Sequence, residues 1–261
     1  MKRIAILILL IALAGSAKFG YEYFYSDLSS SAAPLPSTKP SPTVSVADKT
    51  LNLSAEELVP TDENIQQALT DLGIPAGKVD GKWGERTKQA FCIWRELTGR
   101  VADRSIPIEL ELREILLRAK LKQPFKLSED YVRGLNISKT CQSVVWVKDD
   151  QRKNFVISIV STGAPGMETD TGTFKVTWKV NRWYESISIP DGWMYRPMFF
   201  NRGQAVHGSE YDSYVWWYPA SHGCVRMLGA FVDELWASGF GVGDTVRVYG
   251  LFSQVSENSK I

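Results

Sequence analysis

Near Val132 the spacing of apolar residues changes from three and four to two, and that change limits what the chain can become. Upstream, Ile65, Ala68, Leu69 and Leu72 recur at helical spacing. They follow Thr61-Asp62-Glu63, an N-cap with negative charge in the first turn, and Gly73 closes the segment. A second helix is predicted from Gly84 to Gly99, carrying Ala90, Phe91, Trp94 and Leu97, and a third over 108–119. Downstream, 143–148 (SVVWVK) and 154–162 (NFVISIVST) are rich in β-branched and aromatic residues and flank the turn Asp149-Asp150-Gln151, the pattern of a hairpin. The stretch 173–180 (TFKVTWKV) is expected as one half-buried strand with Phe174, Val176, Trp178 and Val180 on one face. A helix over 228–238, ended by Gly239, and a strand over 244–249 follow. The fold class predicted is α+β: a small three-helix module over 58–120, then a mainly β, sandwich- or barrel-like domain over 128–251.

Before the first helix the chain reads differently. Met1-Lys2-Arg3 precedes an uncharged run over 4–17. That run is shorter than the roughly twenty residues of a membrane span but suits the apolar core of a signal peptide, with Gly15-Ser16-Ala17 as its cleavage site. The aromatic run Tyr21-Glu22-Tyr23-Phe24-Tyr25 can instead extend it into a retained anchor, the one membrane contact the sequence suggests. Residues 1–25 are therefore read as a signal peptide or anchor, and 26–57, rich in Ser, Pro and Thr, as a spacer. Both place the folded part on the exported, cell-wall or periplasmic side. Thirty basic against twenty-nine acidic residues leave a net charge of +1, which gives nucleic acid no electrostatic footprint. Nothing in the sequence sets an oligomeric state. Three cysteines in an exported chain leave at least one thiol unpaired. Cys92 and Cys141 either pair and fasten the two domains or, for Cys92 in the apolar run Phe91-Cys92-Ile93, stay as a buried thiol.

The chemistry concentrates in 207–227 (HGSEYDSYVWWYPASHGCVRM), which holds both histidines, His207 and His222, with Ser221, Gly223, Cys224 and Arg226. A thiol beside imidazoles has the parts of a cysteine nucleophile, since the thiolate is the reactive form and needs a base or a positive neighbour. Gly223 lets the backbone approach a substrate carbonyl, and the amides around Gly223 and Cys224 can serve as an oxyanion hole. Either histidine can be the base by sequence alone. Ser221 and His222 also suit a turn that needs internal hydrogen bonds. Arg226 offers a planar fork of donors for a carboxylate. Tyr195, Trp216 and Trp217 are aromatic candidates for lining the cleft, or for the core. Zinc held by His207, His222 and Cys224 would need a fourth ligand that no spacing supplies, so no metal or organic cofactor is implied.

Two resemblances give these residues a context. The segment 79–91 (VDGKWGERTKQAF), preceded by an Ile-Gln-Gln-Ala-Leu helix, resembles the signature of the small three-helix peptidoglycan-binding domain. Asp80-Gly81 would make a turn, Trp83 plug the core and Thr87 face a neighbouring loop, while affinity for cell-wall glycan or stem peptide is implied by the resemblance. In the β-rich part, SHGCVRM with an upstream His-Gly pair, Ser-Thr-Gly followed by TGTFKV, and a closing GDTVRV resemble the L,D-transpeptidase catalytic domain. Only 208–220 separate His207 from Ser221, a short connection for that family, and Arg226 stands where many members carry Asn. The resemblance implies Cys224 as nucleophile and His207 as base. It implies peptidoglycan stem peptides as substrate, with an acyl thioester that releases D-alanine and passes to an amine on a neighbouring stem. An L,D-carboxypeptidase and an inactive wall-binding scaffold are the alternatives.

Overall fold

The computed structural model describes residues 59–187, 189–190 and 192–252. The expected export segment, 1–25, and spacer, 26–57, lie outside the described residues. Among the described residues no helix is long and apolar enough to cross a membrane.

The helical part contains α1 (Asp62–Asp71), α2 (Glu85–Leu97) and α3 (Glu109–Lys120). Thr61 caps α1 by accepting the Asn64 amide at 3.2 Å, and Gly73 leaves it at φ +77°. The Asp-Gly-x-Trp-Gly signature folds around one buried side chain of α1, Gln66. The amides of Asp80 and Gly81 both donate to Gln66 Oε1 at 2.9 Å. Gln66 Nε2 in turn donates to the Lys82 carbonyl at 2.9 Å and to Thr87 Oγ1 at 3.0 Å. Thr87 thus faces α1 rather than a loop, because a buried carboxamide demands partners on every side. Trp83 packs half-buried against the helical core.

The remainder is a mixed sheet with one helix. Its strands are β1 (Gly134–Ser138), β2 (Ser143–Val147), β3 (Phe155–Ser161), β4 (Gly172–Lys175), β5 (Trp178–Lys179), β6 (Trp183–Glu185), β7 (Trp193–Asn201), β8 (Gln204–Gly208), β9 (Val225–Met227) and β10 (Thr245–Tyr249). The order is β4-β10-β1-β2-β3-β9-β8-β7-β5, with β6 added to β7. The β1–β10 and β8–β9 pairs are parallel and the others antiparallel. The sheet curls until Phe174 of β4 meets Phe200 of β7, ring centroids 5.4 Å apart. The class is α+β, as the change of period predicted.

The stretch 173–180 departs from expectation. It is two strands, β4 on β10 and β5 on β7, because the chain crosses between partners at Val176 and Thr177. The Val176 amide bonds Asp244 O and the next amide bonds Phe199 O. Alternation fails there: Val176 is in the core, whereas Trp178 is exposed and stacks on Phe199 at 4.0 Å.

β2 explains why SVVWV lacks polar alternation: it is buried on both faces. Val144 and Trp146 face α4 (Gly229–Ala237), packing with Phe231, Val232 and Leu235. Val145 and Val147 face the helices and share a core with Ile65, Phe91 and Trp94. The three helices therefore do not stand apart from the sheet. The Cys92–Cys141 disulfide crosses the same seam, Cα atoms 5.5 Å apart.

Candidate active site

The β8–β9 pair builds the site. In parallel register His207 lies beside Arg226 and Val206 beside Val225. Cross-strand partners share a face, and residues two apart share it too. Val206, Val225 and Met227 point into the core, which sends His207, Arg226 and Cys224 to the opposite face. That face opens on a cavity of about 280 Å³ lined by all three, with Ser221 and His222. A larger cavity of about 710 Å³ between the helices and the β2–β3 hairpin has Leu72, Phe125, Phe155, Lys122 and Lys153 on its wall and no thiol or imidazole.

The turn before β9 is fastened on both sides of His222. The amides of Ala220 and Ser221 donate to Thr162 O at 2.9 and 3.0 Å, and Ser221 Oγ donates to the Cys224 carbonyl. Gly223 adopts φ +106°, a region that L side chains avoid, and its carbonyl accepts Thr169 Oγ1 at 2.9 Å. The same Thr169 hydroxyl accepts the Gly163 amide at 2.9 Å. A Cβ on Gly163 would collide with the Met167 carbonyl, so Ser161-Thr162-Gly163 is the sequence trace of this cradle.

His207 is 6 % exposed, whereas His222 stands exposed at the cavity mouth. His207 Nδ1 lies 2.7 Å from Gly208 O. A carbonyl only accepts, so the ring proton sits on Nδ1 and Nε2 keeps its lone pair. Burial pushes the His207 pKa down to about 4; the Gly208 bond opposes this and the nearby Arg226 charge adds to it. Burial likewise raises the Cys224 thiol, against the lowering effects of the Ala205 amide and Arg226. That amide donates to Sγ at 3.4 Å. Both shifts favour the neutral thiol and the neutral imidazole. Burial lowers the Arg226 pKa, and among the described residues no carboxylate pairs with its guanidinium. Among the described residues no three His, Cys, Asp or Glu side chains converge as metal ligands.

Tyr195 is not brought to the cavity. On β7 it pairs with Gly208 of β8 and donates its hydroxyl to Asp233 Oδ1 of α4 at 2.9 Å. Trp216 and Trp217 stay outside too, Trp217 lying under the Arg104 guanidinium at 5.4 Å. The cavity instead takes Ile189, Pro190, Trp193, Met194, Glu210 and Tyr214, from the β6–β7 connection, the start of β7 and the stretch after β8. Trp193, 49 % exposed, is the one among them whose type on a turn flank could have been noticed.

Residues 133–248 match the family model described as YkuD, the L,D-transpeptidase catalytic domain. The chain carries an L,D-transpeptidase catalytic domain. A crystal structure of the L,D-transpeptidase (residues 123–326) from Xylanimonas cellulosilytica is 27% identical, with a TM-score of 0.50, and the match covers 72% of this chain and 92% of that one. An L,D-transpeptidase from Stackebrandtia nassauensis is 23% identical with a TM-score of 0.45, covering 73% and 91%. No curated protein matches the chain. The L,D-transpeptidase domain begins at β1, so its matched span contains every residue of the cavity.

Proposed function

We propose that this chain is an exported enzyme that crosslinks peptidoglycan stem peptides through a thioester on Cys224. The observation that carries the reading is the pairing of β8 with β9. It sets a buried imidazole with a free Nε2 on the same cavity face as the one free thiol.

In the first half, Cys224 Sγ attacks the carbonyl joining the third residue of a donor tetrapeptide to its terminal D-alanine, and His207 Nε2 takes the thiol proton. The amides around Gly223 and Cys224 receive the oxyanion, each worth roughly 3 kcal/mol of barrier. His207 returns the proton to the departing D-alanine nitrogen, leaving the thioester. In the second half, the amine of a neighbouring stem attacks that thioester and gives a proton to His207. The C–S bond breaks, and the thiolate is reprotonated as the new amide forms. Because both shifts favour the neutral groups, the proton moves as attack occurs. Arg226 binds a substrate carboxylate, since among the described residues no carboxylate pairs with its guanidinium. Ser221 and His222 hold and border the turn. The helices are read as a wall-binding element, and the apolar N-terminus as the export signal or anchor.

The test is intact mass after mixing the purified protein with a muropeptide tetrapeptide, beside Cys224→Ala. An acyl adduct on the wild type alone, free D-alanine and a crosslinked dimer are expected. Tripeptide without dimer would make the protein a carboxypeptidase. No adduct, with cell-wall binding retained, would make it a scaffold.

A further inference from the structure

The connection between β1 and β2, residues 139–142, lines no part of the cavity, yet it reaches both sides of the turn that presents Cys224. Gln142 is fully buried and holds φ +52°, a left-handed conformation that a non-glycine residue rarely adopts. Its Nε2 donates to Lys139 O and to Thr162 Oγ1, both at 2.8 Å, and its Oε1 accepts the Thr162 amide at 2.8 Å. Thr162 O is the acceptor for the Ala220 and Ser221 amides. That is one arm. The other starts at buried Lys139, whose Nζ donates to Thr169 O at 2.9 Å, and Thr169 Oγ1 donates to Gly223 O. The arms meet the turn on either side of His222.

The connection is itself held from the helices. Gln89 Nε2 of α2 donates to Gln142 O at 2.6 Å and to Cys141 O at 3.2 Å. Arg104 Nη2 donates to Cys141 O at 3.2 Å, and Cys141 is bonded to Cys92. A second tie runs to the stretch between the histidines, where Arg86 of α2 donates to Val215 O.

We propose that Gln142 and Lys139 are positioning residues for Cys224, and that the helices, through Gln89 and the Cys92–Cys141 bond, hold the connection that carries them. The helical module is then part of the catalytic device as well as an attachment to the wall. The proposal rests on Cys224 being the reactive thiol. The side-chain bonds of Gln142, Lys139, Thr169 and Gln89 in these arms are buried, and a reacting group displaced by about 1 Å can lose about a hundredfold in rate. A residue kept in a left-handed position, where glycine would relax the backbone, is retained for what its side chain does.

The experiment uses the full chain with Gln142→Met, which keeps the stem and loses all three contacts, and Gln89→Leu. Thr169→Val is paired with Thr169→Ser, which restores the hydroxyl, in case a Gln142 variant fails to fold. Three quantities are read on folded protein: alkylation of Cys224 by iodoacetamide across pH, acylation by the tetrapeptide, and tetrapeptide Kd. Alkylation needs no turnover, so it decides the positioning even if the wild type forms no acyl adduct, a result that would instead defeat the transpeptidase reading. Acylation at least tenfold slower, a displaced alkylation pH profile, Kd within twofold of wild type and recovery in Thr169→Ser are expected. Lower unfolding midpoints with wild-type alkylation profiles and rates would overturn the proposal and leave these residues a purely structural role.

Discussion

Arg95 and Arg226 carry the same guanidinium in two regions of the molecule, and their surroundings are opposites. Arg95, inside the helices, spends its donors on its own chain. Nε and Nη2 grip Glu111 at 3.0 and 2.9 Å, Nη1 reaches Asp103 and Ser105 Oγ, and the plane covers Phe91 at 4.3 Å. Arg226, in the cavity of the sheet, is paired with no carboxylate among the described residues, although Glu210 lines the same cavity. Residue type does not distinguish these two. Partner satisfaction does: a saturated buried charge holds structure together, and an unsaturated one beside a thiol is held ready for a ligand.

The largest effect tests the saturated side. Arg95→Met leaves Glu111, its side chain 12% exposed, without its bidentate partner, and breaking such a pair costs about 3–5 kcal/mol. A denaturant titration should show that loss while the folded fraction keeps its acylation rate. If activity per folded molecule fell instead, the division between structural and functional arginine would be mistaken.

Glu96 comes next. It sits on α2 against the sheet, takes Ser138 Oγ at 2.9 Å, and lies beside the hydroxyl of Tyr249, which in turn neighbours that of Tyr131. Burial raises its pKa to about 7, against the Ser138 and Tyr249 hydrogen bonds and the Arg247 charge. A carboxyl raised on folding stays protonated in the native state while the unfolded chain ionises. It therefore withholds no stability below pH 4.5, lowers it progressively as pH rises to about 7, and has its full effect above. Glu96→Gln should add up to about 3 kcal/mol at pH 8 and nearly nothing at pH 4, measured by unfolding at both. Equal gains at both would mean that packing, not ionisation, distinguishes the variant.

Arg226→Gln should be milder for the fold and specific for the reaction. Losing the carboxylate fork is expected to lower acylation kcat/KM about 10–100-fold, about 1.4–2.7 kcal/mol, with an unchanged unfolding midpoint. The variant also removes a positive charge that depresses His207, so the acid limb of the pH–rate profile should move up from near pH 4. A limb that stays in place would separate the two groups electrically and weaken the case for a shared site.

What the sequence made legible was local. Thr61, Gly73, the 149–151 turn and the Ser221-Gly223-Cys224 turn each announce themselves through short-range chemistry, and each is where it was expected. Ranking His207 above His222 by sequence took a family resemblance; in the structure, burial and the Gly208 contact set the two apart. The rest is non-local. Nothing short-range marks Gln66 and Gln142 as buried; the fold closes around them. Cys92 and Cys141 left two readings, and only docking of α2 on the sheet brings their sulfurs together. The strand expected over 173–180 broke because its halves serve different partners, which alternation cannot report. Met194 and Trp193 reach the cavity from the start of β7, where it pairs with β6 ahead of its first register shift against β8.

The same register decides Tyr195, the aromatic side chain proposed from sequence as a substrate contact. Paired with Gly208, it lies on the face opposite His207, and its hydroxyl serves Asp233, which also takes Arg196 Nη1 at 2.7 Å. Tyr195→Phe removes one partly exposed hydrogen bond and nothing the cavity uses. The expected cost is at most about 1 kcal/mol in stability, since a solvent-accessible bond is largely replaced by water. Acylation should change less than twofold. Because Asp233 keeps Arg196 when the phenol is gone, even this small loss should shrink in Arg196-containing protein and grow when Arg196→Ala is added. A tenfold fall in acylation with the fold intact would put the phenol at the substrate and Tyr195 back among the residues that read it.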